Sequence, residues 1–205
     1  MYFDLFTKWY VLLPLAFSIG PILSLTGVDG MVHNLLRDLG GGVAYRNKND
    51  FTRTLDAIFR GTPFWIVIST FINILLGASF PITFIMLLII GGAMKIIYGR
   101  VYMDETSPAS IMRSSRTWNS INKRGTIQLW DELTGMFTKY AYPSLHTITT
   151  LGAIYYTSCN SAMWFFLPPL LLWMIWVNHH WFSDVLSGLC LVWGIVDLLH
   201  HIHHL

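Results

Sequence analysis

Long runs of apolar residues, separated by two polar stretches, set the pattern of this chain. Within each run the apolar positions are continuous and do not alternate, which predicts helices and argues against the strands of a membrane barrel. A helix crosses the bilayer's hydrocarbon layer with about 20 mostly apolar residues, within a range of roughly 17 to 25. Six runs meet that requirement, at residues 8–27, 63–79, 81–99, 143–159, 162–178 and 182–200. Pro63, Pro81 and Pro143 stand where a helix can begin, and Pro168-Pro169 predict a bend in the fifth run. The expected fold is all-α: a polytopic membrane protein, residues 1–205 forming one domain built as a six-transmembrane-helix bundle. Both polar stretches, 28–62 and 100–141, follow odd-numbered helices and therefore fall on one side of the membrane. Interfacial helices are expected within them, around Leu35 to Leu39 and Ile127 to Phe137.

Composition sharpens this picture. Charged residues make up 12% of the chain and apolar residues 54%, whereas a soluble domain carries about 25% charged residues. Nine Trp, nine Tyr and 13 Phe suit the headgroup boundary. A net charge of +2, mixed in sign, gives no footprint for nucleic acid. Cys159 and Cys190 are the only cysteines, too few for a disulfide framework or a cysteine zinc site. The first apolar run follows Asp4 and Lys8 and lacks a small-residue cleavage site, so it reads as a retained helix. Of 13 Lys and Arg, Lys8 alone falls on the side of the termini. The positive-inside rule then predicts a cytoplasmic face for the polar stretches. The same cations would attract phosphate headgroups.

Ionisable residues within or beside apolar runs are costly, about 2.5–3.5 kcal/mol for a mid-helix Asp or Lys, and so are informative. Lys95, His146, His179, His180 and Asp184 all fall at one membrane face in the six-helix topology. His180 and Asp184 are four apart; on a helix they would share a face, the carboxylate holding the Nδ1 proton and leaving Nε2 nucleophilic. Pro143 in a first helical turn, with the Ser144 hydroxyl and free N–H groups, would make an anion site with His146 beside it as a general acid. Lys95 and Arg100 would supply positive charge to the non-bridging oxygens of a phosphate, against the simpler reading that both snorkel at a helix end. The terminal His200, His201, His203 and His204 have helical spacing that would suit a metal, although a frayed interfacial tail is the better account of them.

The strings Pro143-Ser144-Leu145-His146 and His180-Trp181-Phe182-Ser183-Asp184-Val185-Leu186, with Gly188, resemble the type 2 phosphatidic acid phosphatase superfamily of membrane lipid phosphatases and phosphotransferases. That family's pattern is a Lys followed seven positions later by Arg-Pro; then Pro-Ser-Gly-His; then Ser-Arg, five residues, His, three residues and Asp. The resemblance covers residues 63–200 by helix order. It implies His180 as the nucleophile that becomes phosphohistidine, Asp184 orienting it, His146 protonating the leaving group, and Ser144 binding phosphate. It implies a lipid phosphate or diphosphate as substrate, with neither metal nor cofactor. Tyr102 and Met103 stand where the first Arg-Pro belongs, and Met174 stands where the later Arg belongs. Leu145 in place of Gly, with the His179-His180 pair, is similar to the sphingolipid synthase branch, which transfers a phospho-headgroup. The missing arginines also leave open a catalytically silent lipid-binding or transport protein of the same fold.

Overall fold

The computed structural model describes residues 8–42, 45, 48–58, 82–98, 100, 141–156, 162–177 and 179–203. Regular structure among the described residues is entirely helical: α1 (Trp9–Leu25), α2 (Val28–Asp38), a short α3 over 50–58, α4 (Ile82–Tyr98), α5 (Leu145–Tyr156), α6 (Ala162–Trp176) and α7 (Phe182–His203). Five of the six apolar runs are therefore occupied by helices, and the all-α expectation holds. The run at 63–79 and the segment around Ile127 to Phe137 lie outside the described residues. Among the described residues, one helix is by itself long and apolar enough to cross a membrane, over Phe182–Ile202. The consecutive helices α1 and α2 pass the same test only as a pair, bent by 68°. At 17, 12 and 15 residues, α4, α5 and α6 are shorter. α6 continues through Pro168 and Pro169, both exposed.

The bend between α1 and α2 has a local cause. Thr26 closes α1 by donating its N–H to Ile22 O, and Gly27 then turns the chain at φ 77°, a conformation that costs a residue with a Cβ. The segment around Leu35 to Leu39 turns out to belong to this second, amphipathic helix, whose Met31, Leu35 and Leu39 are exposed while Asp29 is buried.

α1 and α7 form the most extensive helix pair, running antiparallel. At one end the Trp9 N–H donates to Asp197 Oδ2 at 2.8 Å; midway the Ser187 hydroxyl donates to Ala16 O at 2.7 Å. Pro21 explains why α1 seeks such partners. Having no N–H, it cannot donate to Phe17 O four residues back; the Tyr98 hydroxyl of α4 donates there instead, at 2.5 Å. Beside it the Tyr142 hydroxyl donates to Ala16 O and accepts the Gly20 N–H. Burial pushes the Tyr142 phenol well above its ordinary range, so it remains a donor. Neighbouring hydroxyls thus satisfy backbone groups that the proline leaves over, as an apolar surrounding demands. Leu87, Met94, Ile148, Leu151, Val185 and Leu191 fill the core between α4, α5 and α7. Ile89, Ile97, Leu172 and Trp193 face outward.

Candidate active site

Two turns, each leading into a helix, build the site. Ser144 stands just before α5 and caps it: its Oγ accepts the Thr147 N–H at 3.2 Å. Its own N–H donates to the Asp184 carbonyl at 3.0 Å, which ties the start of α5 to the start of α7. Pro143, joined to Tyr142 by a cis peptide, precedes the helix and does not occupy its first turn as expected. Gly188 allows the close approach of α7 to α5, since a Cβ there would stand 2.9 Å from Thr147 Cβ and 3.1 Å from Ser144 O.

The second turn carries His179 and His180, whose N–H groups both donate to Met174 O, at 2.9 and 3.2 Å. Helix α7 begins only at Phe182, so the expectation that His180 and Asp184 share a helical face is corrected. Asp184 lies in the first turn of α7 and reaches back, accepting the Trp181 N–H at 3.0 Å, the backward half of a capping box. The same Oδ2 lies 3.4 Å from His180 Nδ1. The pair therefore forms through the helix cap. From α5, His146 Nδ1 comes within 3.1 Å of His180 Nε2. The three residues singled out as catalytic thus meet, with His180 and Asp184 fully buried and His146 partly exposed. Their ring nitrogens fit a directed chain in which Nδ1–H of His180 faces the carboxylate and Nε2 holds a lone pair toward His146.

Lys95 and Arg100 do not snorkel: they are 0% and 2% exposed. Arg100 Nη1 donates to Asp184 Oδ1 at 2.8 Å and to Ser183 Oγ at 2.6 Å, while Nη2 donates to Asp29 Oδ2 at 2.5 Å. Its guanidinium carbon lies 4.8 Å from the Trp181 ring centroid. Asp29 also accepts the Ser183 N–H at 3.0 Å and the Ser183 hydroxyl at 2.6 Å. Lys95 stands in the field of Asp184. Asp29 and Asp184 thus share the Arg100 guanidinium in a dry setting, where an unpaired charge would be expensive. Arg100 Nε and Trp181 Nε1 are buried with no hydrogen-bond partner among the described residues.

Sequence reasoning missed Asp29. Its signal was there in outline: an isolated acid directly after an apolar run, on the same side of the membrane as an arginine that needs a counter-charge. His179 was read only as part of a doublet, yet its ring packs edge-on to both other histidines, with centroids 5.3 Å from His146 and 5.0 Å from His180. Arg113, Arg116, Lys123 and Arg124, other candidates to bind phosphate, lie outside the described residues. Compared with known proteins, the chain matches no family model, no curated protein and no solved structure.

Proposed function

We propose that this chain is a membrane-embedded lipid phosphatase or phospho-headgroup transferase that works through a phosphohistidine on His180. The observation carrying the reading is the His146–His180–Asp184 chain, assembled at 3.1 and 3.4 Å from residues 34 and four positions apart. His180 Nε2 attacks phosphorus as the bond to the leaving oxygen breaks, and His146 gives that oxygen a proton. Water or a lipid hydroxyl then attacks the phosphohistidine, His146 accepts the proton, and the N–P bond breaks. Asp184 keeps the Nδ1 proton in place and stabilises the imidazolium-like ring. For attack, phosphorus enters between the two histidine nitrogens, so the His146 ring turns aside.

Ser144, Lys95 and Arg100 are the proposed phosphate-binding groups. The start of α5, the Ser144 O–H and the unsatisfied Nε donors of Arg100 and Trp181 suit an anion. An apolar cavity of about 400 Å³, lined by Leu36, Tyr45, Pro169, Leu172, Trp173, Ile175 and Trp176, lies just before the His179-His180 turn and suits a hydrocarbon tail. Six membrane crossings belong to this proposal, with α1, α4, α5, α6 and α7 as five and residues 63–79 as the sixth; outward Ile89, Ile97 and Leu172 support it. The Lys and Arg distribution favours a cytoplasmic site face. A reporter fused after Leu205 should then lie outside the cytoplasm.

One observation favours lipid binding without turnover: both Nη atoms of Arg100 are already engaged by Asp29, Asp184 and Ser183. Trapping decides between the two. Purified protein incubated with labelled phosphatidate, prenyl diphosphates and phospholipid donors should carry acid-labile label on His180. His180→Ala should carry none, and His146→Ala should lose turnover by about 10²- to 10⁴-fold. Undiminished turnover in either folded variant rejects the mechanism, and lipid binding with no label or product across the panel selects the silent reading.

A further inference from the structure

His146 and His180 also belong to a three-histidine cluster whose third ring, His179, phosphoryl transfer does not use. One ring nitrogen from each lies within 4.8 Å of the others, and His146 Nδ1 lies 3.1 Å from His180 Nε2. Zinc binds histidine nitrogen at about 2.0–2.1 Å, so ligand nitrogens around a tetrahedral ion stand roughly 3.3 Å from one another. The observed spacing is of that order, and small side-chain rotations of His146 and His179, both partly exposed, would close it. A second, independent feature points the same way. The far nitrogen of His180, Nδ1, faces the Asp184 carboxylate at 3.4 Å, and that carboxylate is itself held by Arg100 at 2.8 Å. A carboxylate behind a ligating imidazole is the usual outer partner of a metal-binding histidine, because it fixes the tautomer and raises ligand basicity.

We infer that His146, His179 and His180 form a three-imidazole site for a borderline divalent cation of the zinc type, and that its occupancy blocks attack by His180. Three neutral nitrogen donors, with no carboxylate joining the group among the described residues, suit zinc over magnesium, which demands oxygen ligands. The His180 Nε2 lone pair can serve only one partner: given to the ion, it is withheld from phosphorus. The hydrogen on the line between the rings moves to His146 Nε2, leaving Nδ1 to bind the ion, with no net proton release. A fourth position remains for water or a phosphate oxygen. The binding claim stands without the proposed phosphoryl transfer, whereas the blocking claim rests on it.

The test uses the full chain in detergent, without a polyhistidine tag and with His200, His201, His203 and His204 replaced by Ala so that the tail cannot bind. Cobalt titration should give the visible band of a tetrahedral ion at one equivalent, removed by zinc and untouched by magnesium. His179→Ala should abolish the band and weaken zinc binding by more than the roughly 10- to 100-fold expected for loss of an outer partner. In the same variant phosphate transfer should be no slower with zinc than in chelator, whereas zinc stops the parent. Retention of stoichiometric cobalt binding in a monodisperse His179→Ala protein, or in His179→Phe should the first aggregate, overturns the site. Absence of one-equivalent binding in the parent overturns it as well. Zinc that leaves phosphohistidine formation undiminished, or raises turnover, overturns the blocking. A protein inactive in chelator that still binds one zinc through His179 upholds the site while removing the phosphoryl-transfer reading.

Discussion

The two ends of α7 each hold a carboxylate, and the two are used in opposite ways. Asp184, at the start, is fully buried and joined to Arg100, whose second carboxylate partner is Asp29, also buried. Asp197, toward the other end, takes the Trp9 N–H and lies 3.9 Å from Lys8, with side chains 29% and 47% exposed. The exposed pair is stapled in a wet setting and contributes little, about 0–1 kcal/mol. The buried network need not add net stability either, but its members cannot be removed singly without leaving a charge unpaired. Charge at the first end thus fixes position and, in the proposed reaction, serves chemistry; at the second it only trims a helix start.

Substitutions break the comparison in order of size. Arg100→Ala strands Asp29 and Asp184 together and should lower stability by about 3–5 kcal/mol, read as denaturant-induced unfolding in mixed micelles; an effect below that of Lys8→Ala would contradict the charge arrangement. Asp184→Asn should leave a folded protein with turnover reduced on the order of 100-fold or more, whereas Asp197→Asn should stay within about twofold. Equal losses in a lipid-phosphate release assay would erase the distinction.

Glycines give a finer contrast. A Cβ at Gly188 meets the backbone oxygen of Ser144 and the Cβ of Thr147, neither of which can swing away. At Gly194 the nearest atom is Leu13 Cδ2 at 2.7 Å, the tip of a flexible side chain. Gly188→Ala should therefore cost about 1–3 kcal/mol and depress turnover by shifting α5, while Gly194→Ala should cost less and leave turnover intact. Thermal melting and initial rates of the two variants provide the comparison. Smallest of all, Lys8→Ala should change stability by no more than about 1 kcal/mol, an effect that added salt masks.

How much of this was legible beforehand follows from the kind of signal each residue leaves. Apolar runs fixed helix positions to within a few residues, since burial of a continuous stretch leaves a local trace; α4 and α7 differ from expectation by no more than three residues at any end. His146, His180 and Asp184 were found because histidine and aspartate beside an apolar run are costly unless they do something. The manner of their meeting was not legible. His180 and Asp184 join through a capping turn, because the helix starts two residues after His180. Arg100 was assigned to substrate although its partner Asp29 lies 71 positions away, and no local pattern records a contact of that span. The placement of His179 was hidden for the same reason: adjacency to His180 says nothing about which ring it faces.

Helices far apart in the sequence, α1 and α7, touch along their length, through partners 188 and 171 positions apart. Such pairing comes late in assembly, because loop closure over these separations is costly and nothing repays it until α7 is made. During synthesis, Asp29 and Arg100 are therefore made before Asp184 exists, and the proposed site can close only once α7 has emerged.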